Sequence, residues 1–133
     1  MAWIQPKTNW KDSDYFNLSP DYERIRGNIV HLQGLAQRLY PNLKVIEMEQ
    51  PDITGYPTQS FLNNVVDNVQ ALADASFTPI GYKSMVRYQG NAPGWDAAAL
   101  NIIENNILLL YSMIRGQDLI LTKMPFELGG SEF

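Results

Sequence analysis

Apolar residues recur at helical spacing in three separate stretches of the chain, and each stretch predicts a helix. In the first, they follow the three- and four-residue steps of one helix face from Tyr22 to Leu39. The same spacing recurs twice further along. We therefore predict a mainly α fold, a three-helix bundle-like single domain, with helices over residues 20–39, 58–75 and 96–115.

Capping residues and helix breakers mark the boundaries of these helices. Ser19 suits an N-cap and Pro20 the first helical position, whereas Pro41 stops the first helix. Asp96 is the expected N-cap of the third helix, and Gly116 is its expected C′ residue. The third helix is apolar around most of its circumference, which predicts burial by its own domain or by a neighbouring subunit.

The segments outside the helices are expected to be extended. Within a domain that spans residues 1–133, residues 1–18 should form an N-terminal arm, 19–116 the helical core and 117–133 a C-terminal strand and tail. The connectors are also compatible with short strands, one between Leu43 and Met48 and one between residues 80 and 88.

Both arms carry large apolar residues that share no helical face, so we expect them to pack on neighbouring subunits or proteins. An unpaired strand exposes donors and acceptors that a neighbour can satisfy. The expected interface residues are Trp3, Ile4, Trp10, Phe16, Leu119, Leu121 and Phe126. Alternatively, the two ends pair with each other and seal the domain's own helical core.

An asparagine recurs at the same place in all three predicted helices. The shared pattern is apolar-x-x-aliphatic-x-x-Asn-aliphatic-x-x-Leu, centred on Asn28, Asn68 and Asn106. Asparagine is a poor residue inside a helix, and a partly buried amide must be hydrogen-bonded. We predict that each of the three bonds the backbone of a loop that crosses its helix, which would make the helices pseudo-equivalent. Chance is the alternative, since any amphipathic helix fits most of this template.

The composition argues against most catalytic machineries. The chain has no cysteine, so disulfides, thiolate nucleophiles and cysteine-based zinc sites are excluded. Its single histidine, His31, is expected on the solvent side of its helix, and there is no GxSxG elbow or glycine-rich phosphate loop. Two acidic groups remain as candidates for a glycosidase pair or a hard-cation site: Asp12 with Asp14, and Glu47 with Glu49 and Asp52. Neither matches a specific motif, so we expect no enzyme, no cofactor and no metal.

Charge and hydropathy limit the partners. The net charge is −4 and the ten Lys and Arg residues are scattered, so no nucleic-acid partner is expected. No signal peptide is expected in residues 1–10. No membrane span is expected either, because the apolar run from Ile102 to Ile114 is interrupted and short. Most aromatic residues lie outside the predicted helices, where they suit protein interfaces or carbohydrate stacking, or cover the ends of the core.

The N-terminal run from Trp3 to Leu32 carries a recognisable motif. Its residues are Trp3, Pro6, Lys7, Thr8, Asn9 and Trp10, then Asp14, Phe16 and Asn17, then Asp21, Tyr22, Arg24, Ile25, Asn28, Ile29 and Leu32. This motif resembles a segment of tail and baseplate structural proteins from phages and prophages of Gram-positive bacteria.

The resemblance implies a non-enzymatic virion component, present in many copies in a tail, baseplate or neck. The implied partners are other tail or baseplate proteins and further copies of the chain. The implied location is the virion, assembled in the bacterial host cytoplasm. The alternative function is a host-attachment module that binds cell-wall carbohydrate through its aromatic residues.

Overall fold

The computed structural model describes residues 3–15, 21–41, 43–48, 59–85 and 96–130. It contains three helices: α1 (Glu23–Leu39), α2 (Gln59–Ala75) and α3 (Ala97–Gly130). Each helix packs against the other two. The mainly α, bundle-like prediction is therefore confirmed.

Helices α1 and α3 run parallel, side by side. Arg24 bonds Glu104, His31 contacts Tyr111 and Arg38 bonds Asp118, and the two residues of every pair are 80 positions apart. A constant offset over four turns requires two helices that point the same way in fixed register. Helix α2 ends at the same end of the bundle, because Phe77, which follows it, lines one hollow with Leu39 of α1 and Ile120 of α3.

The core lies between the three helices. Its buried apolar residues come mainly from one face of each helix: Ile25, Ile29, Leu32 and Ala36 of α1; Leu62, Val65, Val66, Val69, Leu72 and Ala73 of α2; and Leu100, Ile103, Ile107, Leu110 and Ile114 of α3. Residues from outside the helices close it, namely Trp10, Tyr22, Leu43 and Met48.

Irregular segments stand where strands were expected, and residues 80–81 form a turn. In the described part of the connectors, residues 43–48 and 77–85 contain no strand; residues 86–88 of the second candidate strand lie outside the described residues. The main chain bonds helix side chains instead: Gln33 and Asn64 bond the carbonyls of Ile46 and Glu47. Because side chains satisfy these backbone groups, the segments need no neighbouring strand.

The C-terminal strand predicted from residue 117 is wrong as far as residue 130, because α3 continues to Gly130. Gly116 lies inside the helix instead of ending it. The helix still contacts α1 beyond this glycine, through Gln117 to the Tyr40 hydroxyl and through Asp118 to Arg38. These contacts outweigh the cost of about 1 kcal/mol for a mid-helix glycine.

Helix α3 continues beyond the end of α1. By the constant offset, Leu39 at the end of α1 lies level with residue 119, so residues 120–130 extend past it. Eleven residues at about 1.5 Å each give a projection of roughly 16 Å. Leu119 and Ile120, at its base, are 47% and 57% exposed.

The stretch Ala97–Ile120 has 24 residues and contains an 18-residue window with a mean hydropathy of 1.4, so it is long and apolar enough to cross a membrane by length and composition alone. The apolar run considered in the sequence analysis, Ile102 to Ile114, was shorter because the helix was expected to end at residue 115. A core helix passes the same test, and this one packs on α1 and α2.

Candidate functional site: the arm groove

The most elaborate polar arrangement in the described residues holds the N-terminal segment. We call residues 3–14 the arm, and the surface of α1 and α3 that holds it the arm groove. The groove's polar contacts with the arm backbone come from Asn28, Asn101 and Glu104. The arm contains no helix or strand and runs antiparallel to both helices, since Ile4 contacts Asn28 whereas Trp10 contacts Asn101, nearer the helix beginnings.

Asn28 hydrogen-bonds both the amide and the carbonyl of a single arm residue, an arrangement that we call a two-point grip. The Ile4 amide donates to Asn28 Oδ1 at 2.9 Å, and Asn28 Nδ2 donates to the Ile4 carbonyl at 2.7 Å. Asn28 is 1% exposed, whereas the Ile4 side chain is 54% exposed. These two bonds therefore depend on the backbone of Ile4 and not on the identity of its side chain.

Asn101 makes the same two-point grip six residues further along the arm. The Trp10 amide donates to Asn101 Oδ1 at 2.7 Å, and Asn101 Nδ2 donates to the Trp10 carbonyl at 3.0 Å. Here the side chain also matters, because the Trp10 ring is buried in the core.

Glu104 lies between these two grips and is fully buried. Its Oε1 accepts from the Lys7 amide at 3.0 Å and from Arg24 Nε at 2.8 Å. Its Oε2 accepts from Trp10 Nε1 at 2.5 Å and from Arg24 Nη2 at 2.8 Å. One carboxylate thus joins the arm, α1 and α3, and its charge is matched by a two-point Arg contact.

Arg24 is held from two sides. Besides Glu104, its Nη1 donates to Asp21 Oδ1 at 3.2 Å. Hydrogen bonding to Glu104 raises the pKa of the Arg24 guanidinium, with Asp21 adding to the effect. A buried carboxylate is tolerated here because a permanent cation and two N–H groups of the arm satisfy it.

A tight turn ends the arm. Lys11 and Asp14 exchange bonds: the Asp14 amide donates to the Lys11 carbonyl, and the Lys11 amide donates to Asp14 Oδ2, both at 2.9 Å. Asp14 also pairs with Lys7 at 3.2 Å. The bond from the Lys11 backbone, and then the one from Lys7, lowers the pKa of the exposed Asp14 carboxyl. Lys7 Nζ lies 4.1 Å from the centre of the Trp10 ring.

At the other end of the arm, Trp3 stacks on Tyr111 of α3 with ring centres 3.7 Å apart. His31 of α1 lies beside both rings, at 6.1 Å from Trp3 and 5.9 Å from Tyr111. The prediction that His31 faces solvent is therefore wrong, since it is half-buried. The prediction considered α1 alone and did not include the arm, whose Trp3 covers the side of α1 that carries His31.

The asparagine repeat predicts two of its three contacts correctly. Asn106 grips Lys83 as Asn28 grips Ile4, with the Lys83 amide donating to Oδ1 at 3.0 Å and Nδ2 donating to the Lys83 carbonyl at 2.8 Å. The grip predicted for Asn68 is wrong. Its Oδ1 accepts from Gln33 Nε2 at 2.7 Å and its Nδ2 donates to the Asn64 carbonyl of its own helix at 2.8 Å.

Gln33 explains this departure. Its Nε2 bonds both Asn68 Oδ1 and the Ile46 carbonyl, at 2.7 and 3.1 Å. The α1 side chain thus stands between Asn68 and the connector, so the third asparagine reaches the loop backbone indirectly.

The predicted interface residues fall into three groups. Trp10 is 5% exposed and Trp3 is half-buried, so both rings pack on the chain's own helices in this structure. Ile4 and Leu119 are exposed. Phe16 and the side chains of Leu121 and Phe126 lie outside the described part.

In the described part of the chain, the arm bonds Asn28, Asn101 and Glu104, on the part of the bundle nearer the beginning of α3 than residues 117–130. Tyr15 is the one mostly exposed tryptophan or tyrosine among the described residues.

The acidic candidates do not form a catalytic or metal constellation within the described residues. Asp12 and Asp14 line a shallow hollow of about 150 Å³ together with Asp96, and Asp14 is already bonded to Lys7. No group of three or more His, Asp or Glu in the described part of the chain could hold a metal ion. Glu49 and Asp52 lie outside it.

Sequence reasoning missed Glu104 and Asn101, the two groove residues on α3. The available signal was an acid inside the most apolar run of the chain, since a carboxylate there has to be paired. No protein family, characterised protein or solved structure matches the chain.

Proposed function

We propose that the chain is a non-enzymatic structural subunit of a phage virion, a tail, baseplate or neck component present in several copies. The observation that carries this proposal is the use made of the motif residues. Asn28 and Arg24 hold the arm in place, directly and through Glu104. Pro6 and Trp10 of the arm are buried.

The motif is therefore a device for docking the arm onto the helical bundle. Three of its polar side chains, Asp14, Arg24 and Asn28, bond backbone groups or other side chains within the docked arrangement. This use favours the structural role that the resemblance to phage tail and baseplate proteins implies.

The far end of the bundle supports assembly. Helix α3 exposes Leu119 and Ile120, and Ile120 lines one hollow with Phe77, which is 64% exposed. A cluster of large apolar side chains at one end of a small domain is typical of a protein–protein contact. A multi-copy structural protein needs such surfaces.

The test combines particle composition with solution size. Mass spectrometry of purified phage particles from the source should find the protein as a stoichiometric component. Light scattering should find the isolated chain larger than its 15.1 kDa monomer. The variant Ile120→Lys should shift this size towards the monomer, whereas Ser112→Lys, at an exposed position on the same helix, should leave it unchanged. Absence of the protein from purified particles would overturn the proposal.

A further inference from the structure

We propose that the arm groove also receives the arm of a second copy of this chain, so that neighbouring subunits are joined by exchanged arms. This inference rests on the proposed function. It specifies the partner, a second copy of the chain, and the contact, the arm in the groove. The groove is already a complete receptor for the arm, with hydrogen bonds to the backbone of Ile4, Lys7 and Trp10.

Every described contact between the arm and the groove is non-covalent and is made to residues far away along the chain. Asn28 is 24 positions from Ile4, and Asn101 is 91 positions from Trp10. None of these bonds depends on which copy supplies the arm. An exchanged arm would therefore recover the same hydrogen bonds, the same Trp10 burial and the same Trp3–Tyr111 stack, and only chain connectivity and concentration decide between the two arrangements.

The covalent link is long enough for exchange. Seven residue steps separate Asp14, the end of the arm, from Asp21, just before α1. Seven steps span at most about 24 Å, and a helix with its side chains is about 10–12 Å across. The link can therefore cross one helix diameter, so the arm reaches the groove of an adjacent bundle where the two bundles lie with these faces together and α1 stays in its own.

The third two-point grip, of Asn106 on Lys83, offers an informative contrast. Lys83 lies between α2 and α3, so it cannot move to another copy without pulling a helix from the bundle. The arm precedes all three helices and can be transferred with the bundle intact. In an assembly that holds copies side by side, the effective concentration of neighbouring arms rises into the range where such transfer competes with self-docking.

The first experiment leaves the sequence unaltered. Full-length chains labelled with ¹³C are mixed with unlabelled chains, unfolded together, refolded and studied at a concentration where they are oligomeric. Isotope-filtered NOEs should appear between the Trp3 ring of one copy and the Tyr111 ring of another, because these rings stack at 3.7 Å. Purely intramolecular Trp3–Tyr111 NOEs, in an oligomer or in a chain that stays monomeric, would overturn the exchange.

The second experiment uses the absence of cysteine from the chain. Trp3→Cys and Tyr111→Cys variants are refolded together and oxidised. The mixture should give a mixed disulfide dimer well above the amounts of dimer formed by either variant alone. Adding Asn28→Ala and Asn101→Ala to the Tyr111→Cys copy should lower that yield by about tenfold or more, since it removes both two-point grips. An equal yield of mixed disulfide with and without these two substitutions would show that the groove does not receive the arm of the second copy.

The two proposals fail separately. If the protein is found in purified particles but its Trp3–Tyr111 contacts are all intramolecular, arm exchange is wrong and the structural role stands. If exchanged contacts form in solution but the protein is absent from particles, the virion role is wrong and the exchange stands.

Discussion

Glu104→Gln is the substitution that should most disturb the docked arm. It keeps the shape of the side chain but replaces one carboxylate oxygen with an NH2 group and removes the charge. Whichever way the new amide turns, its NH2 faces two N–H donors: the Lys7 amide and Arg24 Nε on one side, or Trp10 Nε1 and Arg24 Nη2 on the other.

The expected loss in the free energy of unfolding follows from the burial of this ion pair. Glu104 is fully buried and the Arg24 side chain is 12% exposed, so water replaces the lost partners poorly. Removing one partner of a buried ion pair costs about 3–5 kcal/mol. Domains of this kind are stable by about 5–15 kcal/mol, so the variant should fold but unfold at distinctly lower urea concentration.

The chain contains a matched control. Arg38 and Asp118 join the same two helices with the same offset at 2.9 Å, but Arg38 is 62% exposed. Arg38→Gln removes this exposed partner and should therefore cost less than about 1 kcal/mol. Urea unfolding followed by circular dichroism gives both free energies. Equal losses for Glu104→Gln and Arg38→Gln would refute the reasoning that burial makes this carboxylate the joint between arm and bundle.

Three further outcomes are expected. Asn106→Ala should lower the free energy of unfolding by about 1–3 kcal/mol because it leaves the Lys83 amide and carbonyl without their partner; Asn105→Ala, its neighbour on α3, is the control, and equal effects would contradict the grip. Gly116→Ala should raise the free energy of unfolding by about 0.5–1 kcal/mol, since an added Cβ meets open space within a continuous helix; a loss would indicate that the helix ends there. Burial, with a smaller contribution from Asp74, raises the pKa of Tyr82 to about 12, so its neutral phenol should stabilise the fold fully below about pH 10. That contribution should disappear as the pH rises through the folded value, and Tyr82→Phe should lose less stability than the native chain between those limits in alkaline unfolding curves.

Local signals in the sequence located the helices well. Asp96 is the N-cap that was predicted, accepting from the Ala99 amide at 2.8 Å, and α1 ends two residues before Pro41. Asn28 and Asn106 were found because a polar residue repeated at the edge of an apolar face. All of these signals lie within one helix and its immediate neighbours, where sequence spacing carries the information.

The errors arose where distant segments decide the outcome. Gly116 was interpreted as a helix end because the contacts of Gln117 and Asp118 with α1 are invisible in the sequence. His31 was placed in solvent because nothing local shows that Trp3 covers it. Glu104 looked like an interruption of an apolar run, and its role appears only once α1 and the arm are packed against α3.

Native-state hydrogen exchange of the arm amides tests the docked arm most directly. The Ile4, Lys7 and Trp10 amides donate to Asn28, Glu104 and Asn101, so NMR should find them protected from exchange although they belong to no helix or strand. If all three exchange as fast as in an unfolded chain, the arm is not held in the groove, and the account of the motif as a docking device is wrong.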